Sequence, residues 1–291
     1  FQKKVQLIIT QPKAMEIEMQ PQASGYWFAF VEELPEGSMY FYKLDNEEKL
    51  LPDPASISQP EGVHGASQVI NRNFNWTEQE WQGIDFKQYI LYELHVGTFS
   101  TQSSFEGVVS KLEYLHNLGI TAIELMPVAQ FPGNRNWGYD GVFPFAVQNS
   151  YGGVNELKKL VNAAHGYGMA VVLDVVYNHL GPEGNYLPLF APYLTDKYHS
   201  FWGKALNYDD AWCDGVRNYM IQNALMWLDE FHIDALRLDA VHAIYDFSAL
   251  HFIKQLKEAV QQLQQRLGIP KYLIAEIDLN DVKYINSFEK G

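Results

Sequence analysis

The sequence is short of positive charge and of cysteine, and it has no long apolar run; each shortage excludes a class of protein. It has 21 Lys and Arg against 35 Asp and Glu, a net charge of −14, so we expect neither nucleic acid nor an anionic membrane as a partner. Cys213 is the one cysteine, which excludes an intrachain disulfide and favours a reducing, cytoplasmic location. No run of about 18 apolar residues appears, which excludes a membrane-spanning helix.

Several motifs that carry chemistry are also missing. Neither G-x-G-x-x-G after the first strand of the alternating region nor a P-loop is present, which disfavours a nucleotide-binding protein. Without a G-x-S-x-G elbow, a serine hydrolase has no support. The histidines show neither H-x-H nor H-E-x-x-H spacing, so we predict no metal and no other cofactor.

What is present is ample core material and two contrasting regions. Hydrophobic residues make up 47% of the 291 and aromatic residues 14%, a supply that also suits stacking on sugar rings. Short strand-like runs separated by Gly, Pro and Ser predict a small β-sandwich over residues 1–75. The stretch 51–70, with three prolines and two glycines, reads as an ordered connection to a second unit at 76–291.

From residue 89 onward, apolar strand-like runs alternate with segments of helical periodicity. Strand runs begin at YILYELHV, ITAIELMPV, AVVLDVVYNH, IDALRLDAV and KYLIAEI, with a helical segment after each of the first four. Such alternation predicts a parallel sheet covered on both faces. Two architectures fit this pattern, a doubly wound sheet and a β/α barrel.

Charged residues stand near the carboxyl ends of these strands, where both architectures bind ligands. In IDALRLDAVHAI (233–244), Arg237 and Asp239 share one face of a strand. The pair could be a structural ion pair, or Asp239 could be a nucleophile kept ionised by the guanidinium. Glu276 ends the next strand. Neighbouring parallel strands lie about 4.8 Å apart. Two carboxylates at the ends of adjacent strands therefore suit a retaining glycosidase, whose two carboxyl groups are roughly 5–5.5 Å apart.

Two further segments allow both a structural and a functional interpretation. Asp174, Asn178 and His179 in LDVVYNHLGPEGNY could form a turn with a hydrogen-bonded imidazole. With a polar ligand at the rim, His179 could instead donate to a sugar hydroxyl while Asp174 holds Arg237 or the loop. In NWGYDGVFPF, Tyr139 could cover the sheet or stack on a sugar ring.

Three of these segments resemble signatures of the α-amylase superfamily, glycoside hydrolase family 13: DVVYNH (174–179), LRLDAVH (236–242) and LIAEI (273–277). The resemblance implies a (β/α)8 barrel in which Asp239 is the nucleophile and Glu276 the general acid/base. It also implies supporting or sugar-binding roles for the other members of the site: Tyr139, Asp174, Asn178, His179, Arg237 and His242.

Further segments are similar to the trehalose-releasing hydrolases of that superfamily, among them YELHVGTFS, YNHLGPEGNYL and AEIDLND. The implied substrate is an α-glucan or maltooligosyltrehalose, cut at the α-1,4 bond next to the terminal trehalosyl unit. Two alternatives stay open: a branching enzyme or another transglycosylase acting on α-glucan, and a catalytically inactive glucan-binding fragment.

The superfamily's fourth signature is missing, and only five of the eight barrel strands are visible. The chain also begins without Met or a signal peptide. We therefore expect an internal fragment of a longer enzyme that lacks the start of the sandwich, the rest of the barrel and a third carboxylate, and that is inactive on its own.

Overall fold

The computed structural model describes residues 2–45, 48–78 and 80–286. Its first part contains an antiparallel sheet in the order β2-β1-β5-β6, with β7 also paired to β5, and a separate ladder of β3 and β4. The strands of this part are β1 (Val5–Gln11), β2 (Met15–Glu18), β3 (Gln20–Pro21), β4 (Trp27–Phe28), β5 (Met39–Leu44), β6 (Leu50–Leu51) and β7 (Ser67–Gln68). The short strands agree with the sequence pattern, while the sandwich over 1–75 and its boundary with 76–291 stay predictions.

The second part contains the parallel sheet. Its strands are apolar and β9 and β12 are wholly buried, as expected for strands covered on both faces. The strands are β8 (Leu91–Leu94), β9 (Ala122–Leu125), β12 (Ala170–Val175), β15 (Ala235–Leu238) and β16 (Tyr272–Ala275). The helices are α1 (Val96–Phe99), α2 (Phe105–Val109), α3 (Leu112–Asn117), α4 (Gly153–Gly166), α5 (Leu187–Phe190), α6 (Cys213–Asp229) and α7 (Phe252–Leu267).

The order of the parallel strands distinguishes the two architectures that the sequence left open. The sheet runs β16-β15-β12-β9-β8, so each new strand is added on the same side of the previous one. A doubly wound sheet reverses direction at a switch point, whereas a barrel never does. The fold is therefore α/β, with a parallel sheet of five strands in the consecutive order of a partial (β/α)8 barrel.

Two predicted helices differ from the structure, one by a break in its middle and the other by its starting residue. The segment 105–119 forms two helices, α2 and α3, separated by a turn at Ser110 and Lys111, where the Lys111 N–H donates to Val108 O rather than to Gly107 O. The predicted helix 247–268 begins only at Phe252, where the His251 side chain accepts a hydrogen bond from the Ile253 N–H as an N-cap. Periodicity extended the helix into residues that form a loop.

Insertions between the sheet elements build the surroundings of the site. β10 (Ala129–Gln130) pairs with β11 (Phe143–Val147) after β9, and a hairpin of β13 (Leu194–Ser200) and β14 (Gly203–Leu206) follows α5. A large core unites the parallel sheet with α2, α3, α4, α6 and α7. Among the described residues, no helix combines the length and apolarity that a membrane span requires.

Candidate active site

The guanidinium of Arg237 joins three carboxylates at the carboxyl ends of neighbouring strands. Its Nη1 lies 2.5 Å from Asp174 Oδ2 and 3.6 Å from Asp239 Oδ1, while Nη2 lies 3.0 Å from Glu276 Oε1. The four side chains come from β12, β15 and β16 or the residues that follow them. The structure therefore brings together the two predicted catalytic carboxylates and their predicted positioning residue.

Strand register explains why these groups meet. Asp174 on β12 is paired with Arg237 on β15, and β15 pairs with β16 in parallel. Asp239 and Glu276 each follow directly on their strand, and the pairing continues as Glu276 N–H donates to Leu238 O. Ala240 has φ +41°, a left-handed conformation uncommon outside glycine. This turn lets its N–H donate to Glu276 Oε2 at 2.9 Å.

Asn178 supports Asp239 directly. Its Nδ2 donates to Asp239 Oδ2 at 2.8 Å and to the Asp239 carbonyl at 2.7 Å. Burial raises the pKa of Asp239 and nearby Glu276 adds to the rise, while the hydrogen bond from Asn178 and the charge of Arg237 oppose it. The carboxylate is thus held in place by a neutral donor on one side and a cation on the other.

Asp174 is the most buried member of the cluster, and Tyr139 contacts it from the loop after β10. The Tyr139 hydroxyl donates to Asp174 Oδ2 at 2.9 Å, and Asp174 is 1% exposed. Burial raises the pKa of Asp174 to about 7, against the opposing effects of Arg237 and Tyr139. Asp174 therefore contacts both Arg237 and Tyr139, and its supporting role in catalysis stays a prediction.

The two histidines lie in different surroundings. His179 is 4% exposed, its Nδ1 contacts Asn178 Oδ1, and its buried Nε2 has no partner. The Trp202 indole covers it, with ring centroids 4.2 Å apart and planes 7° from parallel. His242 is more open, with Nδ1 3.6 Å from Asp278. Since His179 is almost fully buried in this structure, its contact with a sugar hydroxyl stays a prediction.

Sequence reasoning missed two members of these surroundings. Glu124 on β9 lies 3.7 Å from Arg237 Nε, and burial raises its pKa. Glu124 could have been predicted because it is a charged residue inside the apolar run ITAIELMPV. Arg237 was identified by the same feature in its own strand. Trp202 lies in the β13–β14 hairpin beside the fully exposed Phe201; only adjacent aromatics in an otherwise polar insertion hinted at it.

Metal-binding geometry is not found in this part of the molecule. Across residues 2–45, 48–78 and 80–286, no group of three or more His, Cys, Asp or Glu side chains could hold an ion. What the cluster offers chemically is two carboxylates near one cation at an open rim: Glu276 is 47% exposed at its side chain and Asp239 13%. This arrangement can combine nucleophilic attack with proton transfer.

Comparison with known proteins extends these observations. Residues 68–207 match the model of the α-amylase catalytic domain. The malto-oligosyltrehalose trehalohydrolase of Saccharolobus solfataricus is 47% identical over 290 residues, which cover all of this chain and 50% of that protein. The 1,4-α-glucan branching enzyme GlgB 2 of Clostridium perfringens is 32% identical over 239 residues, 75% of this chain and 36% of that protein.

Among solved structures, the crystal structure of a putative α-amylase from Salmonella typhimurium is similar with a TM-score of 0.87. It is 40% identical, and the match covers 94% of this chain and 46% of that one. The chain spans about half the length of the curated trehalohydrolases it matches.

Proposed function

Because the chain belongs to the α-amylase family of glycoside hydrolases, we propose that it is the nucleophile-bearing part of a retaining malto-oligosyltrehalose trehalohydrolase. The proposed reaction cleaves the α-1,4 bond next to the terminal trehalosyl unit of maltooligosyltrehalose and releases trehalose. The observation that carries the proposal is the placement of Asp239 and Glu276 on one guanidinium at adjacent strand ends. Similarity to the trehalohydrolases over the whole chain supports the choice of substrate.

In the proposed mechanism, an Asp239 oxygen attacks the anomeric carbon while Glu276 gives a proton to the departing oxygen of trehalose. A covalent glycosyl–enzyme ester results. Glu276, now ionised, then takes a proton from water, whose oxygen attacks the anomeric carbon and frees Asp239. Arg237 Nη2 and the Ala240 N–H hold the two oxygens of the Glu276 carboxyl group, at 3.0 and 2.9 Å. The first step requires that the protonated carboxyl group turns from Arg237 toward the glycosidic oxygen.

The test uses the intact protein, by which we mean the longer enzyme of which this chain is proposed to be a part. It is incubated with maltooligosyltrehalose and, separately, with amylose. Free trehalose is expected from the first. New α-1,6 branches on amylose, without trehalose, would replace this proposal with the branching-enzyme alternative, which the similarity to the branching enzyme of Clostridium perfringens supports. No product from either substrate, together with binding of glucan, would favour the inactive glucan-binding alternative.

Removing either carboxyl group tests the assigned roles. Asp239→Asn or Glu276→Gln in the intact protein should lower kcat by several orders of magnitude, because each removes a group that acts on the reacting atoms. Asp196→Asn is the matched control, since Asp196 is an exposed carboxylate paired with Lys204 on the β13–β14 hairpin. Undiminished turnover in Asp239→Asn would remove the nucleophile from this assignment.

A further inference from the structure

The loop that carries Tyr139 also presents a tryptophan to solvent. Trp137 is 70% exposed and borders a cleft of about 700 Å³ that Tyr139 borders as well. Clefts of roughly 300–1,000 Å³ are the usual size of small-ligand sites. Since Tyr139 donates to Asp174, and Asp174 contacts Arg237, the cleft opens beside the proposed catalytic pair.

The backbone on both sides of Trp137 is fixed. His95 Nε2 lies 2.8 Å from the Asn136 carbonyl oxygen and therefore carries the proton, because a carbonyl can only accept. The Asn136 side chain accepts from Gly138 N–H at 2.7 Å and donates to Asp140 Oδ2 at 2.7 Å. The exposed indole is consequently presented by a rigid turn. A rigid aromatic loses little conformational entropy when a ligand binds.

The conformation of this turn requires glycine at position 138. Its φ is +100°, and a Cβ at this position would lie 2.0 Å from the Pro127 carbonyl oxygen. Only glycine avoids both the left-handed strain and the collision. The turn therefore holds Trp137 and Tyr139 in a fixed relation to each other at the edge of the cleft.

The polar lining of the cleft has hydrogen-bonding capacity to spare. In the described part of the chain, the side chains of Ser103, Asn134 and Arg135 form no hydrogen bond or ion pair, although all three border the cleft. An exposed aromatic face flanked by free donors and acceptors suits a pyranose ring, whose C–H face packs on the indole while its hydroxyls bond to the polar groups.

We propose that Trp137 and this polar lining form a glucosyl-binding subsite on the glycone side of the bond that is cut. The inference rests on the proposed function for the identity of the substrate. The side is chosen by the order of the strands: Tyr139 contacts Asp174 on β12, whereas the proposed proton donor Glu276 follows β16, on the far side of β15. The leaving trehalose lies beside the proton donor, so we assign the cleft beside Tyr139 to the glucosyl side. The subsite would hold the next glucosyl unit, so Trp137 would determine how strongly the enzyme prefers longer chains.

The decisive measurement is kcat/KM of the intact protein for maltooligosyltrehaloses of increasing length. Trp137→Ala should lower kcat/KM by at least about tenfold for substrates with several glucosyl units. It should change the value little for glucosyltrehalose, whose single glucosyl unit leaves the subsite empty. Trp137→Phe should restore most of the loss, and Arg135→Ala should show a smaller loss with the same length dependence. Tyr114→Ala, an exposed aromatic on α3, is the control.

An equal loss at every length would mean that Trp137 acts only on the structure of the loop, and no loss at any length would remove the subsite; either result overturns the proposal. A second measurement does not depend on turnover. Calorimetry of maltopentaose binding to the Asp239→Asn protein, with and without Trp137→Ala, should show weaker binding in the double variant. If the intact protein releases no trehalose, the proposed function fails, while this binding result still decides the subsite.

Discussion

At the scale of single residues, the site depends on a chain of side chains that support one another. Arg237 is placed by strand register opposite Asp174, and Asn178 holds the carboxylate of Asp239. None of these supporting groups is exposed enough to reach bulk solvent freely, so each contact is made in surroundings where hydrogen bonds to charged groups are strong. Asn178 and Arg237 therefore oppose the rise that burial causes in the pKa of Asp239 and favour its ionised form.

Asn178→Ala should move the acidic limb of the pH–activity profile. Asp239 must be ionised to attack, and burial already raises its pKa, so activity is lost as pH falls at a higher pH than for an ordinary aspartate. Removing the Asn178 donor raises the pKa further. The acidic limb of kcat/KM should shift to higher pH by about one unit, the value of one hydrogen bond to a charged group.

The profile of kcat/KM against pH in the intact protein is the measurement. Asn162→Ala serves as control, because Asn162, which lies on α4, bonds to Thr77 and, within the described part of the chain, forms no hydrogen bond with the residues of the site. A lower plateau with an unmoved acidic limb would show that Asn178 positions Asp239 without affecting its ionisation.

At the scale of elements, the loop between β10 and β11 connects backbone strain with the shape of the site. Gly138→Ala should destabilise the protein by more than about 2 kcal/mol and lower kcat/KM, because a left-handed alanine costs about 1–2 kcal/mol and its Cβ would collide with Pro127. Gly119→Ala is a close match: Gly119 has φ +92° and open space around its missing Cβ.

Chemical denaturation and kcat/KM of both glycine variants make the comparison. The Gly119 variant should lose only the cost of strain and keep its activity. If the two variants behave alike, the Pro127 carbonyl moves aside without cost, and the loop is not the rigid support inferred for Trp137.

Some elements of the fold could be predicted from the sequence and others could not. The five strands were predictable because β/α strands are almost continuously apolar, and Arg237, Asp239 and Glu276 stood out as charges at their ends. The break at Lys111 and the late start of α7 were not, because periodicity describes which face is buried and not where the backbone leaves the helix. Trp202 over His179 was beyond prediction too, since that contact joins an insertion to a distant loop.

At the scale of the whole molecule, the sheet has a second polar cluster at its opposite end, before the strands begin. His165 at the end of α4 lies between Glu78 and Asp234, with its Nε2 2.8 Å from Asp234 Oδ2. Trp81 stacks on this imidazole and donates to Asp234 at 2.9 Å. Lys271 is 3.8 Å from the same aspartate. In barrels, this end supports stability while the other carries chemistry.

The ionisation of this cluster gives a pH window for stability. Burial opposes the charged form of His165, but bonds to Asp234 and Glu78 outweigh it and raise its pKa above 6.5. The stability that protonated His165 contributes is complete below pH 6.5 and is lost as pH rises through its raised pKa. Burial also raises the pKa values of Glu78 and Asp234, but their hydrogen bonds with His165 help to outweigh it. The pKa of Glu78 therefore falls below 4.5 and that of Asp234 below 3.8. Their contribution is complete above those values and is lost on acidification.

His165→Gln should therefore lower the free energy of unfolding by about 3 kcal/mol between pH 4.5 and 6.5, because it removes the cation that lies between two buried carboxylates. His232 still contacts Glu78 in this variant. The difference from the parent protein should shrink as pH rises from 6.5 through the raised pKa of His165, because the unfolded chain loses this proton first and the folded parent protein loses it at higher pH. Lys271, whose pKa is lowered by burial, also faces Asp234. Urea denaturation at several pH values measures the effect, and His116→Gln on the exposed face of α3 is the control.

Because the cluster lies at the far end of the strands from Arg237, kcat of the folded variant at low temperature should equal that of the parent. A fall in kcat without a loss of stability would contradict this separation of stability from chemistry.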